Sequence, residues 1–265
     1  MTRIFLALVA TIMLAAPLRA AVDIQEVTSP GGINAWLVEE SSIPFVALEI
    51  RFEGGAALDP TGKRGVTNLM TALIEEGAGD LDARAFAAAR DAMAASYSFD
   101  VWNDTLSVSA RFLTENRDEA VELLRQALVT PRFDDDAIER VRSQVLSVIR
   151  SEATDPNDIA SAAFNATVFG DDPYGSDTDG TLETVGALTR DDIVAAHRSA
   201  LVRDRIYVGA SGDIPAAELG ALLDTLLGAL PESDRPLAAD AAPMIEGGVD
   251  VVAFTTPQSV AIFGH

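Results

Sequence analysis

A chain of 265 residues, 48% hydrophobic and 23% charged, has the composition of a globular protein long enough to bury a sizeable core. Its 41 acidic residues outnumber 19 basic ones, a formal charge of −22 that argues against nucleic acid and anionic membrane surfaces as partners. Cysteine is absent, which excludes disulfides, thiolate metal sites and Cys nucleophiles.

The first 20 residues stand apart. Arg3 precedes an apolar run from Ile4 to Leu14, and Ala15-Ala16-Pro17-Leu18-Arg19-Ala20 offers small residues for cleavage. The segment reads as a secretory signal peptide cut after Ala20, with an apolar core too short for a membrane span. A periplasmic or secreted location is expected. Removing Arg3 and Arg19 leaves 17 basic and 41 acidic residues, a formal charge of −24.

Two strands open the mature chain, Ile33 to Glu39 and Phe45 to Phe52, separated by a turn at Pro44. Gly54-Gly55, Pro60 and Gly62 mark a loop. From Gly65 to Gly77 a helix is expected, because Val66, Leu69, Met70, Leu73 and Ile74 form a stripe on one face. Adjacent side chains on a helix diverge, so Glu75-Glu76 reads as a solvated helix end. Asp82 to Ala95 is a second helix. Phe99 to Trp102 and Leu106 to Phe112 alternate around Asn103-Asp104 as a hairpin. Trp36 and Trp102 read as core or edge aromatics.

Helices are expected over Asp118–Val129, Asp134–Glu152, Asp158–Phe169, Leu182–Ala187 and Asp191–Leu201, with Pro156 stopping the longest. Arg205 to Ala210 is a strand ending at Ser211-Gly212-Asp213, and Pro215 starts a helix that runs to Leu230. Residues 231–248 read as a linker. Val249–Phe254 and Ser259–Phe263 then read as strands without a covering helix, as in a truncated chain.

The helix from Gly65 gives the strongest pointer to function. It resembles the first helix of the M16 peptidases (insulinase, pitrilysin and mitochondrial processing peptidase), where His-x-x-Glu-His follows a Gly and two small or apolar residues. In that family two His on one helix face bind Zn²⁺ and the Glu polarises the metal-bound water. Here the three positions fall on Asn68, Thr71 and Ala72. Asn is a poor zinc ligand, Thr is no base at neutral pH, and Ala has no donor atom.

Further segments resemble the same family in the same order. They are Asp155-Pro156-Asn157-Asp158, Asp172-Pro173-Tyr174-Gly175 with Gly180-Thr181 and Ala187-Leu188-Thr189-Arg190-Asp191-Asp192, Val208 to Asp213, and Pro257 to His265. The family's third ligand, a Glu of a Glu-Glu pair on the long helix, falls at Ser147-Val148. Glu152 is the nearby acid and sits on a different face.

The resemblance implies an α+β M16 (LuxS/MPP-like) metallohydrolase fold: an antiparallel-rich sheet covered by helices, with one repeat and the start of another. Residues 21–230 would form the first domain, 231–248 the linker, and 249–265 the start of the second domain. It also implies a non-catalytic subunit that holds no zinc itself and completes the chamber of a zinc-bearing partner, acting on peptides or unfolded polypeptides. An Arg/Tyr pair in the family's second domain lies beyond this sequence. Ser98, Phe99, Asp100 and Val101 correspond to the edge strand on which the family's substrates dock, and here the strand either keeps that docking edge or simply packs. The alternative reading is a stand-alone periplasmic peptide-binding or scaffold protein.

Other chemistry is weaker. His197 reads as a surface or half-buried helix residue with no second His to join it, since His265 is the only other. Asp134-Asp135-Asp136 and Asp171-Asp172 lack the alternating spacing of a Ca²⁺ loop and suit helix starts and turns. Ser211 lacks a nucleophile elbow.

Overall fold

The computed structural model describes residues 22–244 and 247–264. The expected signal peptide at 1–20 and His265 lie outside the described residues.

Six strands form one sheet in the order β1-β2-β8-β3-β7-β6. They are β1 (Gln25–Thr28), β2 (Asn34–Glu39), β3 (Phe45–Glu53), β6 (Ser96–Val101), β7 (Thr105–Leu113) and β8 (Ile206–Gly212). Only the β2–β8 pair is parallel; the others are antiparallel. This is the antiparallel-rich sheet expected. A small ribbon pairs β4 (Gly77–Ala78) with β5 (Leu81–Asp82). Eight helices complete the described residues: α1 (Val66–Ala72), α2 (Ala83–Ala92), α3 (Arg117–Val129), α4 (Asp135–Glu152), α5 (Pro156–Phe169), α6 (Leu182–Ala187), α7 (Arg190–Ala200) and α8 (Ala216–Leu227).

Alternation decides which sheet face is buried. Leu37, Val46, Leu48, Ile50, Phe52, Leu106, Val108, Phe112 and Val208 point into one core. Helix residues close it, among them Leu69, Met70 and Leu73 of the α1 segment, Leu124 and Leu128 of α3, and Leu219 and Leu223 of α8. The opposite face carries Trp36, Arg51, Ser98, Asp100, Arg111 and Tyr207 and is open to solvent.

Several expectations need correction. β1 escapes a sequence reading because Gln25-Glu26-Val27-Thr28 has one strongly apolar residue; its pairing is imposed by the turn at Ser29, whose N–H reaches the Ile33 carbonyl at 2.8 Å. The helix from Gly65 is shorter than its stripe. After Ala72 the chain tightens into i→i+3 bonds, Leu73 N–H to Met70 O and Ile74 N–H to Thr71 O, while Leu73 and Ile74 remain fully buried.

Trp36 and Trp102 are not core residues, being 49% and 54% exposed. Trp36 alternates with buried Ala35 and Leu37, so it falls on the open face and stacks on Tyr207 with ring centroids 6.4 Å apart. Glu75 and Glu76 are paired rather than free in solvent. Glu75 accepts from Arg90 at 2.7 Å, and Glu76 takes both Arg140 nitrogens at 2.9 and 2.5 Å. Their divergence on the turn is what sends them to two different helices. Finally, Val249–Phe254 and Ser259–Phe263 form no strand, for no ladder partner faces them among the described residues. Val249 and Phe263 are each 92% exposed.

Candidate functional site

The start of α1 is built by a residue well outside the helix. The Asp59 carboxylate accepts from Gly65 N–H at 2.8 Å, from Thr67 N–H at 3.0 Å and from the Thr67 hydroxyl at 2.6 Å. It therefore satisfies orphan donors at the positive end of the helix. Burial pushes the Asp59 carboxyl up, and these bonds and Arg64 pull against it.

Arg64 knits the surroundings. Its guanidinium donates to Ala56 O at 2.6 Å, Asn103 Oδ1 at 2.7 Å, Pro173 O at 2.9 Å, Ser176 O at 3.0 Å and Asp177 O at 2.9 Å. One side chain thus fastens the loop at 171–181 to the turn before α1 and to the β6–β7 hairpin. Two glycines let that loop come close. Gly65 has φ +91, and a Cβ there would meet Asp179 O at 2.5 Å; Gly180 has φ +80, and a Cβ there would meet Arg64 O at 2.3 Å.

This approach delivers Asp179 to the first expected ligand position. Asn68 Nδ2 donates to Asp179 Oδ1 at 2.8 Å. The buried Thr71 turns its hydroxyl back onto the Thr67 carbonyl at 2.7 Å, and Ala72 is exposed. Ser147 and Val148 both face solvent. Glu152 follows Val148 by four residues and so shares its face of α4, against the expectation of a different one; it is close enough to Asp179, Asp177 and Asp158 to feel their charge, and burial first, and those charges second, push its carboxyl up. Asp179 is pushed up by burial and by Asp177.

These donors do not fit a zinc site. Asn68 spends its amide N–H on a carboxylate, Thr71 spends its hydroxyl on the backbone, and Ala72 has nothing to offer. Among the described residues no group of three or more His, Cys, Asp or Glu is arranged to hold a metal ion. His197 is half-buried on α7: its Nε2 meets Leu128 O at 2.9 Å, its ring stands edge-on to Phe133, and burial holds its pKa down.

The segment Ser98 to Val101 falls in β6. β6 is an outer strand of the sheet, paired to β7 alone among the described residues, and α1 packs beside it. Ser98 and Asp100 point to the open face and hydrogen-bond each other at 2.8 Å, whereas Phe99 and Val101 are half-buried on the other. The open face dips into a trough of about 570 Å³ bordered by Trp36, Val38, Glu49, Ser98, Arg111 and Ser211.

The sequence pattern of the Insulinase (Peptidase family M16) family matches residues 36–182, more than half of the chain. The chain belongs to peptidase family M16. The non-peptidase homolog YmxG of Helicobacter pylori is 25% identical over 194 residues, covering 73% of this chain and 45% of that protein. An uncharacterized zinc protease, ML0855, of Mycobacterium leprae is 24% identical over 74% of this chain and 44% of its own. Among solved structures, a peptidase M16 inactive domain from Pseudomonas fluorescens superposes with a TM-score of 0.77 at 24% identity, covering 84% of this chain and 54% of that one. A protease from Helicobacter pylori superposes with a TM-score of 0.72 at 16% identity. The chain therefore has the M16 fold and spans about half the length of the relatives it matches.

Sequence reasoning located α1 and β6 but missed Asp59, Arg64 and Asp179. Arg64 could have been suspected from its place directly before the helix. Nothing in the sequence marked Asp179, which reaches Asn68 across 111 residues.

Proposed function

We propose that this M16 chain is an exported, non-catalytic subunit that completes the peptide-binding chamber of a zinc-bearing M16 partner. The observation that carries the reading is the state of α1: its frame is intact, and the side chains at 68, 71 and 72 are committed to bonds within the chain or lack a donor. A frame kept without its chemistry serves as a wall or a docking surface. The relative named a non-peptidase homolog supports this reading, and so does the neighbour described as an inactive M16 domain.

In this reading β6 contributes main-chain hydrogen bonds to an extended substrate segment and so holds it in place for cleavage by the partner subunit. The acidic surface disfavours nucleic acid and anionic lipid, and among the described residues no helix is long and apolar enough to cross a membrane. The second reading is a stand-alone peptide-binding or scaffold protein, favoured by the outer position of β6.

The test mixes the protein with an M16 chain carrying intact His-x-x-Glu-His from the same source and follows cleavage of an unstructured peptide. The subunit reading expects co-elution and cleavage well above that of either chain alone. Equal cleavage with and without this chain, and no co-elution, would sink it. Peptide binding by this chain alone would then leave the scaffold reading standing.

A further inference from the structure

Helix α5 is the least supported element of the fold. None of its residues is buried, and within the described residues it packs chiefly on the short turn at Pro173–Gly175. Yet Ile159, Ala160, Ala163, Phe164 and Val168 are half-buried and share one side, so something partly covers that side. The helix has a single charged residue, Asp158, in a protein with a formal charge of −22.

Part of that cover comes from the segment that follows α8. It leaves α8 through a polar clasp. Arg203 N–H bonds Pro231 O at 2.9 Å, Ser233 N–H and Oγ bond Asp204 at 2.8 and 2.5 Å, and Arg235 Nε reaches Ser199 Oγ at 2.5 Å. Leu237 then rests against Gly54. Met244 N–H bonds the Val168 carbonyl at 2.7 Å, near the C-terminal end of α5, and its methyl group lies over Gly170. Gly264 lies against the Phe164 ring, more than a helical turn back along α5.

We infer that residues 231–244 act as a strap in cis: clasped at 231–235, they reach the C-terminal end of α5 and hold it on the domain. The strap has a target beyond α5. The helix runs into the loop that carries Asp177 and Asp179, so holding α5 also steadies the loop that closes on Asn68. The expected linker is therefore a fastened segment at its start, not a free tether.

The absence of cysteine makes the test free of background. The full chain carrying Val168→Cys and Met244→Cys should close an intrachain disulfide under mild oxidation, because a main-chain hydrogen bond brings the two backbones together. The yield should not depend on protein concentration. Met244→Asp, at a position 53% exposed and so tolerant of charge, should speed amide exchange across residues 159–181 while leaving β3 and β7 unchanged. A disulfide formed between chains would assign the α5 face to a second copy and overturn the strap. No disulfide, or exchange across 159–181 that Met244→Asp leaves unmoved, would overturn it as well.

Discussion

Replacing Asn68 with Ala tests the link between α1 and the loop at 171–181. The substitution removes the amide that donates to Asp179 at 2.8 Å and leaves a partly buried carboxylate facing Asp177 and Glu152. A hydrogen bond to a charged group is worth about 1.5–3 kcal/mol. Partial exposure lowers this, so the cost at neutral pH should be about 1–2 kcal/mol. For a unit of this size each kcal/mol moves Tm by roughly 2–4 °C, giving a drop of roughly 2–8 °C.

The pH dependence is the sharper readout. Burial raises the Asp179 pKa in the folded protein above 3.8, so its stability contribution is full below that value and is lost as pH rises through the folded pKa. Without Asn68 the ionised form loses its donor, and the penalty for ionisation grows. The difference between wild type and Asn68→Ala should therefore be small near pH 4 and widen towards pH 7. Thermal or denaturant melts across that range measure it. A difference that is flat with pH, or absent at pH 7, would refute the claim that Asn68 stabilises an ionised Asp179.

Leu73→Ala should cost about 2–5 kcal/mol, because Leu73 is fully buried, whereas Thr71→Ala should cost under about 1 kcal/mol, the lost bond to Thr67 being offset by better helix propensity; melts ranking Thr71→Ala as the worse would contradict the core packing assigned to Leu73. Metal analysis of the purified chain should find no stoichiometric zinc, and one tightly held zinc per chain, lost in Asn68→Ala, would contradict the donor analysis. Burial depresses the His197 pKa, so the protein should lose stability as pH falls from the ordinary value of 6.5 towards the folded pKa. His197→Leu should lack that dependence in parallel melts.

Most of the architecture was legible because burial imposes a period. The stripe of Val66, Leu69, Met70, Leu73 and Ile74 gave α1, and alternation in Phe45–Phe52 and Leu106–Phe112 gave β3 and β7. β1 and the fate of residues 249–263 were not legible, since a strand needs a partner and local pattern does not supply one. The site was legible only by position. Asn68, Thr71 and Ala72 could be counted from the helix start, but their new partners could not. Asp59 and Asp179 arrive from loops whose approach depends on two positive-φ glycines and on the acceptors around Arg64, a long-range geometry that no spacing encodes.

The burial of Thr71, 4% exposed, bears on whether this chain could ever recover a metal. A Glu installed there would be an ionisable group sealed in the interior with no cation to balance it, at a cost of several kcal/mol. A His at 68 would have to break or remake the bond to Asp179, and a His at 72 would gain nothing alone. A carboxylate at 147 or 148 would sit idle in solvent. Zinc repays such changes only once the set is complete, so a Glu at 71 or a His at 68 made on its own costs stability with nothing to offset it. The packing around 68 and 71 thus works as a latch against a metal site, because the first steps towards one carry their cost before any metal could repay it.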